Sequence, residues 1–351
     1  MSLKSFYKRL IKRAYVQRSV AGLHPVTRAR EFLDTIPFVV IDSPAEIPSE
    51  HLCGTTLYLC SHPGQRVALC PGSRGHLCCN YHTVDLYSGC TMGCTYCIMQ
   101  SYLNFSPVTV YVDAGTTIEK IALLAAERPT EPLRIGTGEI GDSLLFDPIF
   151  ELSAQFIGEL AGLSNVHFEM KTKTSFVNHV LDIPQKGNAI IGFSLNPAEI
   201  GRLEEGITSP VAARIRAAQR AVSAGYRLSF HFDPVFRVAG WEALYKELIT
   251  SLGQFPKERI AWISFGTIRY TSHLREKISS RPYLYDEFVQ SKDGKFRYLQ
   301  KTRVEMYRKL IGWLWETLDA PTYLCMESEA VWRRVFGRLP HEIPELHGIF
   351  A

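Results

Sequence analysis

From Tyr81 onward, short apolar runs alternate with amphipathic helical stretches, and few folds accept that order. The runs HTVDLY, VTVYVD, LRIGTG, VHFEMKT, AIIGFSL, RLSFHFDP, IAWISFG and TYLCM have strand length and β-branched or aromatic character. Between them, TIEKIALLAAE, LFDPIFELSAQFIGELAGL, PVAARIRAAQRAVSAG, GWEALYKELITSLGQF and VEMYRKLIGWLWETLD place apolar residues at i, i+3 and i+4. Strand, helix, strand repeated in this way specifies an α/β fold with a parallel sheet and right-handed crossovers, open or curled into a partial barrel. In such sheets chemistry gathers at the carboxyl ends of the strands.

The 351 residues allow one large barrel plus additions, and 46% hydrophobic with 21% charged residues is ordinary for a globular chain. Residues 1–50 read as a helical N-terminal extension closed by the Pro-rich connector DSPAEIPSEH. Residues 51–80, rich in Cys, Gly and Pro, read as loops and short strands packing on the barrel. Residues 81–351 read as the barrel, with a polar insertion near 275–303 in which Asp293-Gly294 marks a hairpin turn. In the first helix Lys8, Arg9, Lys12 and Arg13 surround Leu3, Phe6, Leu10 and Ala14; this is a face for a phosphate backbone or the solvated side of a docking helix. No window is apolar enough to span a membrane, and the N-terminus has the basic charge but not the apolar core of a secretory signal. The expected compartment is the cytoplasm, where nine cysteines stay reduced and act as metal ligands or reactive thiols.

Cys90, Cys94 and Cys97 fall within YSGCTMGCTYCIMQ, just after the first expected barrel strand. Thiolates select zinc, Cu(I) or iron–sulfur clusters. Structural zinc wants four protein ligands, usually from two knuckles. Three cysteines on one compact loop instead suit a cubane with one iron left free for a chelating molecule. The competing assignment is a zinc or ordinary cluster site completed by Cys78, Cys79 or His82.

This spacing, with Tyr96 before the last cysteine, resembles the signature of the radical S-adenosylmethionine (SAM) enzymes. Across GCTMGCTYCIMQ, KTKTSFVNHVLD, GFSLNP, RIRAAQRAVSAGYRLSFHFDPVFRVAGW and IRYTSH the chain is similar to the spore photoproduct lyase family. The resemblance implies a radical SAM partial barrel, a 4Fe–4S cluster on Cys90, Cys94 and Cys97, and SAM on its free iron. It implies a 5′-deoxyadenosyl radical that takes hydrogen from a thymine lesion in DNA, and an electron donor such as flavodoxin or ferredoxin. It assigns Tyr96, Lys173, Ser194 and Asn196 to SAM, and Gly138 and Glu139 of GTGEIGD to the SAM ammonium group. Two positions depart from the family. Its hydrogen-returning cysteine aligns with Glu139, and a tyrosine used in radical return aligns with Ile98.

Upstream thiols are candidates for the missing donor. Cys70, Cys78 and Cys79 read as hydrogen donors, as a second metal site with His62, His76 or His82, or as small core residues. Cys53, Cys60 and Cys325 read as core. Asp233, Arg237, Arg269, Tyr270, Lys295 and Tyr298 interleave charge and aromatic surface near strand ends, which suits phosphates and an extruded base. His231 reads as structural. Other functions compatible with the residues are radical chemistry on a peptide or small molecule, and a non-enzymatic, metal-stabilised nucleic-acid-binding protein.

Overall fold

The computed structural model describes residues 2–64, 66–73 and 75–350. The chain opens with α1 (Leu3–Leu10), β1 (Arg13–Gln17), α2 (His24–Phe32), β2 (Phe38–Ile41) and β3 (Thr56–Cys60). It continues through β4 (Val67–Leu69), β5 (His82–Val84), β6 (Tyr87–Ser88), β7 (Val108–Tyr111), α3 (Ala114–Glu127) and β8 (Leu133–Thr137). Then follow α4 (Asp147–Phe150), α5 (Leu152–Leu160), β9 (Val166–Thr172), α6 (Asn178–Leu181), β10 (Ile190–Ser194), α7 (Ala198–Glu204), α8 (Val211–Ser223), β11 (Arg227–Val235), α9 (Trp241–Thr250) and β12 (Ile260–Thr267). The last part is β13 (Arg269–Tyr270), α10 (Ser272–Lys277), β14 (Phe288–Gln290), β15 (Phe296–Tyr298), α11 (Gln300–Thr317), β16 (Thr322–Leu324) and α12 (Glu329–Phe336).

The main sheet has the order β16-β12-β11-β10-β9-β8-β5-β4 and is parallel except where β4 meets β5. It curls. β8 and β16 are five steps apart, about 24 Å on a flat sheet. Yet Arg134 of β8 donates to the Tyr323 hydroxyl of β16 at 3.1 Å, and Trp262 of β12 donates to Glu169 of β9 at 2.8 Å. Strands β10 and β12 are almost wholly buried, as continuous apolar runs flanked by helices should be. Helix α8 packs closely because its inner face carries Ala217, Ala218 and Ala221. The barrel interior also holds polar groups. Glu169 accepts from Ser229, Trp262 and His231, and His231 reaches Ser264 at 2.7 Å. Gly192 leaves the room: a Cβ there would lie 2.7 Å from Ser229 Oγ. His231 is therefore structural, but with partners that its sequence context did not reveal.

The N-terminal region departs from the expected helical extension. A second sheet, β2-β1-β3-β7-β6, runs parallel from β2 to β7 and takes β6 antiparallel. VTVYVD belongs to it rather than to the barrel, and HTVDLY is divided between β5 in the barrel and β6 in this sheet. The 51–80 segment is likewise shared, with β3 in one sheet and β4 in the other. The strands are short, and the basic helical stripe ahead of them dominates the local pattern. That helix is a docking helix: Lys4 and Lys8 pair with Asp34 at 2.9 and 2.7 Å. The insertion is a three-stranded antiparallel sheet, β13-β15-β14, whose hairpin turns at Gly294 with φ +79°. No helix among the described residues is long and apolar enough to cross a membrane.

One hydrophobic core joins the two sheets, from Tyr7 to Phe350. Tyr7 is its N-terminal pin. Its ring meets Phe6, Phe32 and Phe176 edge-on, and its hydroxyl donates to the Leu145 carbonyl at 2.5 Å. We expect Tyr7→Ala to cost about 3–5 kcal/mol in urea unfolding, as a single transition of the whole chain. Tyr7→Phe should cost about 1 kcal/mol. A separate early transition in Tyr7→Ala would show that the N-terminal sheet folds independently.

Candidate functional site

The cysteine loop hangs between the two sheets, directly after β6. Gly89 donates its N–H to the Ile140 carbonyl at 2.9 Å, and Gln100 donates to the Cys94 carbonyl at 2.9 Å. Gly206, with φ +50°, lies so close to the loop that a Cβ would overlap the Met92 carbonyl oxygen. Cys90, Cys94 and Cys97 line a single cavity of about 390 Å³ that is open on one side. No three His, Cys, Asp or Glu side chains among the described residues gather tightly enough to hold one ion. Cys78, Cys79 and His82 do not line this cavity. The donor set, three thiols around one cavity, suits a group held by soft ligands. Burial raises the Cys90 thiol and pushes Cys94 up to about 12, so a positively charged group that displaces their protons is needed to make them thiolates.

Beside the loop a buried carboxylate collects cations and donors. Tyr96 donates to Glu205 Oε1 at 2.5 Å and Asn196 at 2.9 Å, while Arg214 grips Oε2. The Lys173 ammonium lies 3.7 Å from Glu205 Oε1 and 5.8 Å from the Tyr96 ring centroid. It is buried and has no hydrogen-bond partner. An ammonium with unspent N–H groups next to the thiol cavity is where an anionic group of a ligand would sit. Asp142 fixes the segment, accepting from the Lys173 amide at 2.7 Å and the Thr172 hydroxyl at 2.8 Å. Burial tends to raise Glu205, but Lys173, Arg214 and the donors from Asn196 and Tyr96 outweigh it and hold it at about 2.

The other expected SAM residues divide. The Ser194 carbonyl accepts from Arg214, while its half-buried hydroxyl makes no hydrogen bond among the described residues and is available. Asn196 is spent: its amide donates to Glu205, and its carbonyl accepts from Tyr245 at 2.9 Å. Gly138, with φ +93°, is required by packing behind it, since a Cβ would fall 2.8 Å from Ser143 Oγ. Glu139 is paired with Lys171, whose ammonium also lies 4.2 Å from the Tyr81 ring centroid.

Around that pair stand thiols. The Cys78 thiol is hydrogen-bonded to both Cys70 and Cys79, which lowers those two and raises Cys78. Cys79 feels the charges of Arg134, Lys171 and Glu139. Arg134, 4.0 Å from the Trp262 ring centroid, supports the Cys79 carbonyl at 3.4 Å. Cys325 is in the same neighbourhood, raised by burial and by Asp233, and close enough to Cys79 and Glu139 to feel both. It packs against the main core, as expected.

Of the expected substrate residues, Asp233 and Arg269 form a two-bonded pair at 2.9 and 3.0 Å near the ends of β11 and β12. Lys295 donates to Ser73 at 3.1 Å, docking the hairpin on the Cys70–Cys79 loop. Arg237 pairs with Asp286 and is half exposed. Tyr270 and Tyr298 are corrected: both are buried, Tyr270 stacked on Phe296 and Tyr298 on Phe288. They are the core of the insertion, not surfaces for a base. Sequence reading missed Glu205, Arg214, Lys171 and the placement of Cys325. Two signals were present. Arg214 shares a helical face with Ala217, Ala218 and Ala221, and Cys325 directly follows the last barrel strand.

A sequence model of a family described as spore photoproduct lyase matches residues 77–299. A spore photoproduct lyase of Geobacillus sp. (strain Y412MC61) is 29% identical over 204 residues, 57% of this chain and 60% of that protein. One from Bacillus subtilis (strain 168) is 27% identical over 191 residues, 54% of this chain and 56% of that protein. The alignments thus span less than two thirds of either relative. A crystal structure of a spore photoproduct lyase variant superimposes with a TM-score of 0.78 at 19% identity, covering 90% of this chain and 98% of that one. Another variant, with bound AdoMet and dinucleoside spore photoproduct, gives 0.77 at 19% identity over 91% and 98%. The partial-barrel fold is common to all of them.

Glu205→Gln keeps the side chain's shape but strips Arg214 and Lys173 of their counter-charge. It should cost about 3–5 kcal/mol in urea unfolding at pH 7. The native carboxyl is lowered from 4.5 to about 2, so its stabilisation is full above 4.5 and disappears as pH falls toward 2. Stability should therefore fall less steeply between those limits in the variant. Equal slopes would assign the acid sensitivity to other carboxylates.

Proposed function

This chain belongs to the spore photoproduct lyase family, and we propose that it repairs a thymine photoproduct in DNA by radical SAM chemistry. The observation that carries the reading is the three-thiol cavity set beside the unspent Lys173 ammonium. Cys90, Cys94 and Cys97 hold a 4Fe–4S cluster. Lys173 offers its N–H groups to the SAM carboxylate, Ser194 adds a hydroxyl, and Tyr96 walls the site. When bound, cluster and SAM supply a 5′-deoxyadenosyl radical that removes a hydrogen atom from the lesion. A carrier such as a flavodoxin or ferredoxin supplies one electron for the cleavage of SAM and, with a proton from solvent, a second that restores the donor thiol after it has given up its hydrogen atom. The reduced thiols and this chemistry suit the cytoplasm.

The chain's own residues then do the rest. Glu205 keeps Tyr96 and Lys173 in place, and Asp142 fixes the Lys173 backbone. Asp233 and Arg269 present a rigid carboxylate–guanidinium pair toward the lesion, while Arg237, from the loop after β11, and Lys295, from the insertion, supply phosphate contacts. Glu139 cannot return a hydrogen atom to a carbon radical, because its O–H bond is too strong; a thiol S–H is weak enough. Cys70, Cys79 and Cys325 all feel the Glu139 charge, and Cys78 is hydrogen-bonded to Cys70 and Cys79. One of these thiols takes over the donor role. Only a protonated thiol can donate an atom, and the environment keeps the proton on Cys78 and Cys325.

The test is a dinucleoside spore photoproduct incubated in D2O with the reconstituted protein, SAM and a reductant. Thymine carrying one solvent deuterium is expected, accompanied by 5′-deoxyadenosine. Cys78→Ser or Cys325→Ser should cut labelled thymine by tenfold or more while 5′-deoxyadenosine continues to form. Unchanged thymine in the Ser variants of all four thiols would overturn the donor assignment. 5′-Deoxyadenosine without any thymine from the unmodified protein would favour a peptide or small-molecule substrate. No 5′-deoxyadenosine from a fully loaded cluster would favour a non-enzymatic nucleic-acid-binding protein.

A further inference from the structure

The thiol cavity is not lined by the groups assigned to SAM and to the lesion. Lys173, Ser194, Asn196, Asp233, Arg269 and the Cys70–Cys79 loop contribute nothing to its lining. Its rim is made instead by Lys277, Ile278 and Arg281, at the end of α10 and just beyond it. Lys277 is exposed and makes no hydrogen bond or ion pair among the described residues. Arg281 lies 3.6 Å from Glu204, whose carboxylate also takes the Thr95 hydroxyl within the cysteine loop. Glu204 ends α7, and the surface continues there through exposed Arg202 and the exposed apolar side chains of Leu203 and Ile207. Ile207 donates its amide to the Met92 carbonyl of the loop at 2.9 Å, so this patch is continuous with the thiol cavity. Outside the Arg281–Glu204 pair, the acids on these two helices, Glu199 and Glu276, are outnumbered by Arg202, Arg275 and Lys277.

We propose that this cavity mouth is the docking surface for a small acidic one-electron carrier protein of the flavodoxin or ferredoxin kind. The inference rests on the cluster assignment made above. Electron transfer needs only close approach: the carrier loses one electron, the cluster gains one, and no bond forms or breaks. Cations around the opening steer an acidic partner and speed its arrival. Exposed leucine and isoleucine beside them offer apolar contact that a protein uses and a phosphate backbone does not. Substrate and electron thus reach the centre by different faces, so the carrier can dock while DNA is bound.

The experiment follows cluster reduction by its visible absorbance in anaerobic stopped flow. A purified flavodoxin is compared with photoreduced 5-deazariboflavin, a small neutral reductant. The variants are Lys277→Glu and Arg202→Glu, both exposed changes with no buried partner to lose. Relative to the deazariboflavin rate in the same variant, the flavodoxin rate should fall tenfold or more. The unmodified protein should also slow steeply with added salt, and the variants should not. Equal proportional changes with both reductants, or an unchanged flavodoxin rate, would overturn the proposal. So would weakened oligonucleotide binding in the variants with flavodoxin reduction intact, which would make the patch a nucleic-acid surface. A loaded protein that yields no 5′-deoxyadenosine with deazariboflavin fails at the cluster assignment instead, which separates that failure from a failure of docking.

Discussion

A single buried carboxylate holds the site together. Glu205 joins the cysteine loop through Tyr96, the end of β10 through Asn196, helix α8 through Arg214, and the β9 segment through Lys173. An isolated charge at that depth would be untenable, and so would an isolated Arg214. Each is tolerable because the other is present and because neutral donors fill the remaining lone pairs. The consequence is geometric. Four elements far apart in sequence are fixed relative to one another beside the loop that carries the three thiols. Lys173 alone among the cations there keeps its N–H groups unspent, because Arg214 already satisfies the carboxylate more directly.

The opposite side of the barrel mouth shows a different economy. Glu139 is half-buried, and a carboxylate there would be costly without compensation. Lys171 supplies it. That lysine is on the inward face of β9, two residues from Glu169, so the barrel interior already carried alternating charge into which the pair fits. Thiols of the chain's own lie in that region, on the Cys70–Cys79 loop, held by the insertion through Lys295 and Ser73, and at Cys325 just past β16. The insertion thus acts as a clamp on the loop, and its aromatic stack of Tyr270, Phe296, Phe288 and Tyr298 makes the clamp rigid.

Much of the barrel was legible in the residues. Period-2 and continuous apolar runs located its strands, and helical spacing located α3, α5, α8, α9 and α11. The cysteine loop was legible as well, because ligand spacing on one loop is a local property. The N-terminal sheet was not legible. β1, β2 and β3 are four or five residues long; β1 lies between β2 and β3, and β3 takes its other partner, β7, from some fifty residues later. Short parallel strands carry no local sign of which sheet they join.

The sequence by itself determined the α/β alternation, the three-thiol loop and its place after a strand, since each depends on neighbours within a few residues. Tertiary structure alone decided which charges meet. It paired Glu205 with Arg214, Glu139 with Lys171 and Asp233 with Arg269, and it buried Tyr270 and Tyr298. The reason is that Coulomb attraction and burial act through space, at distances that only the curled sheet sets.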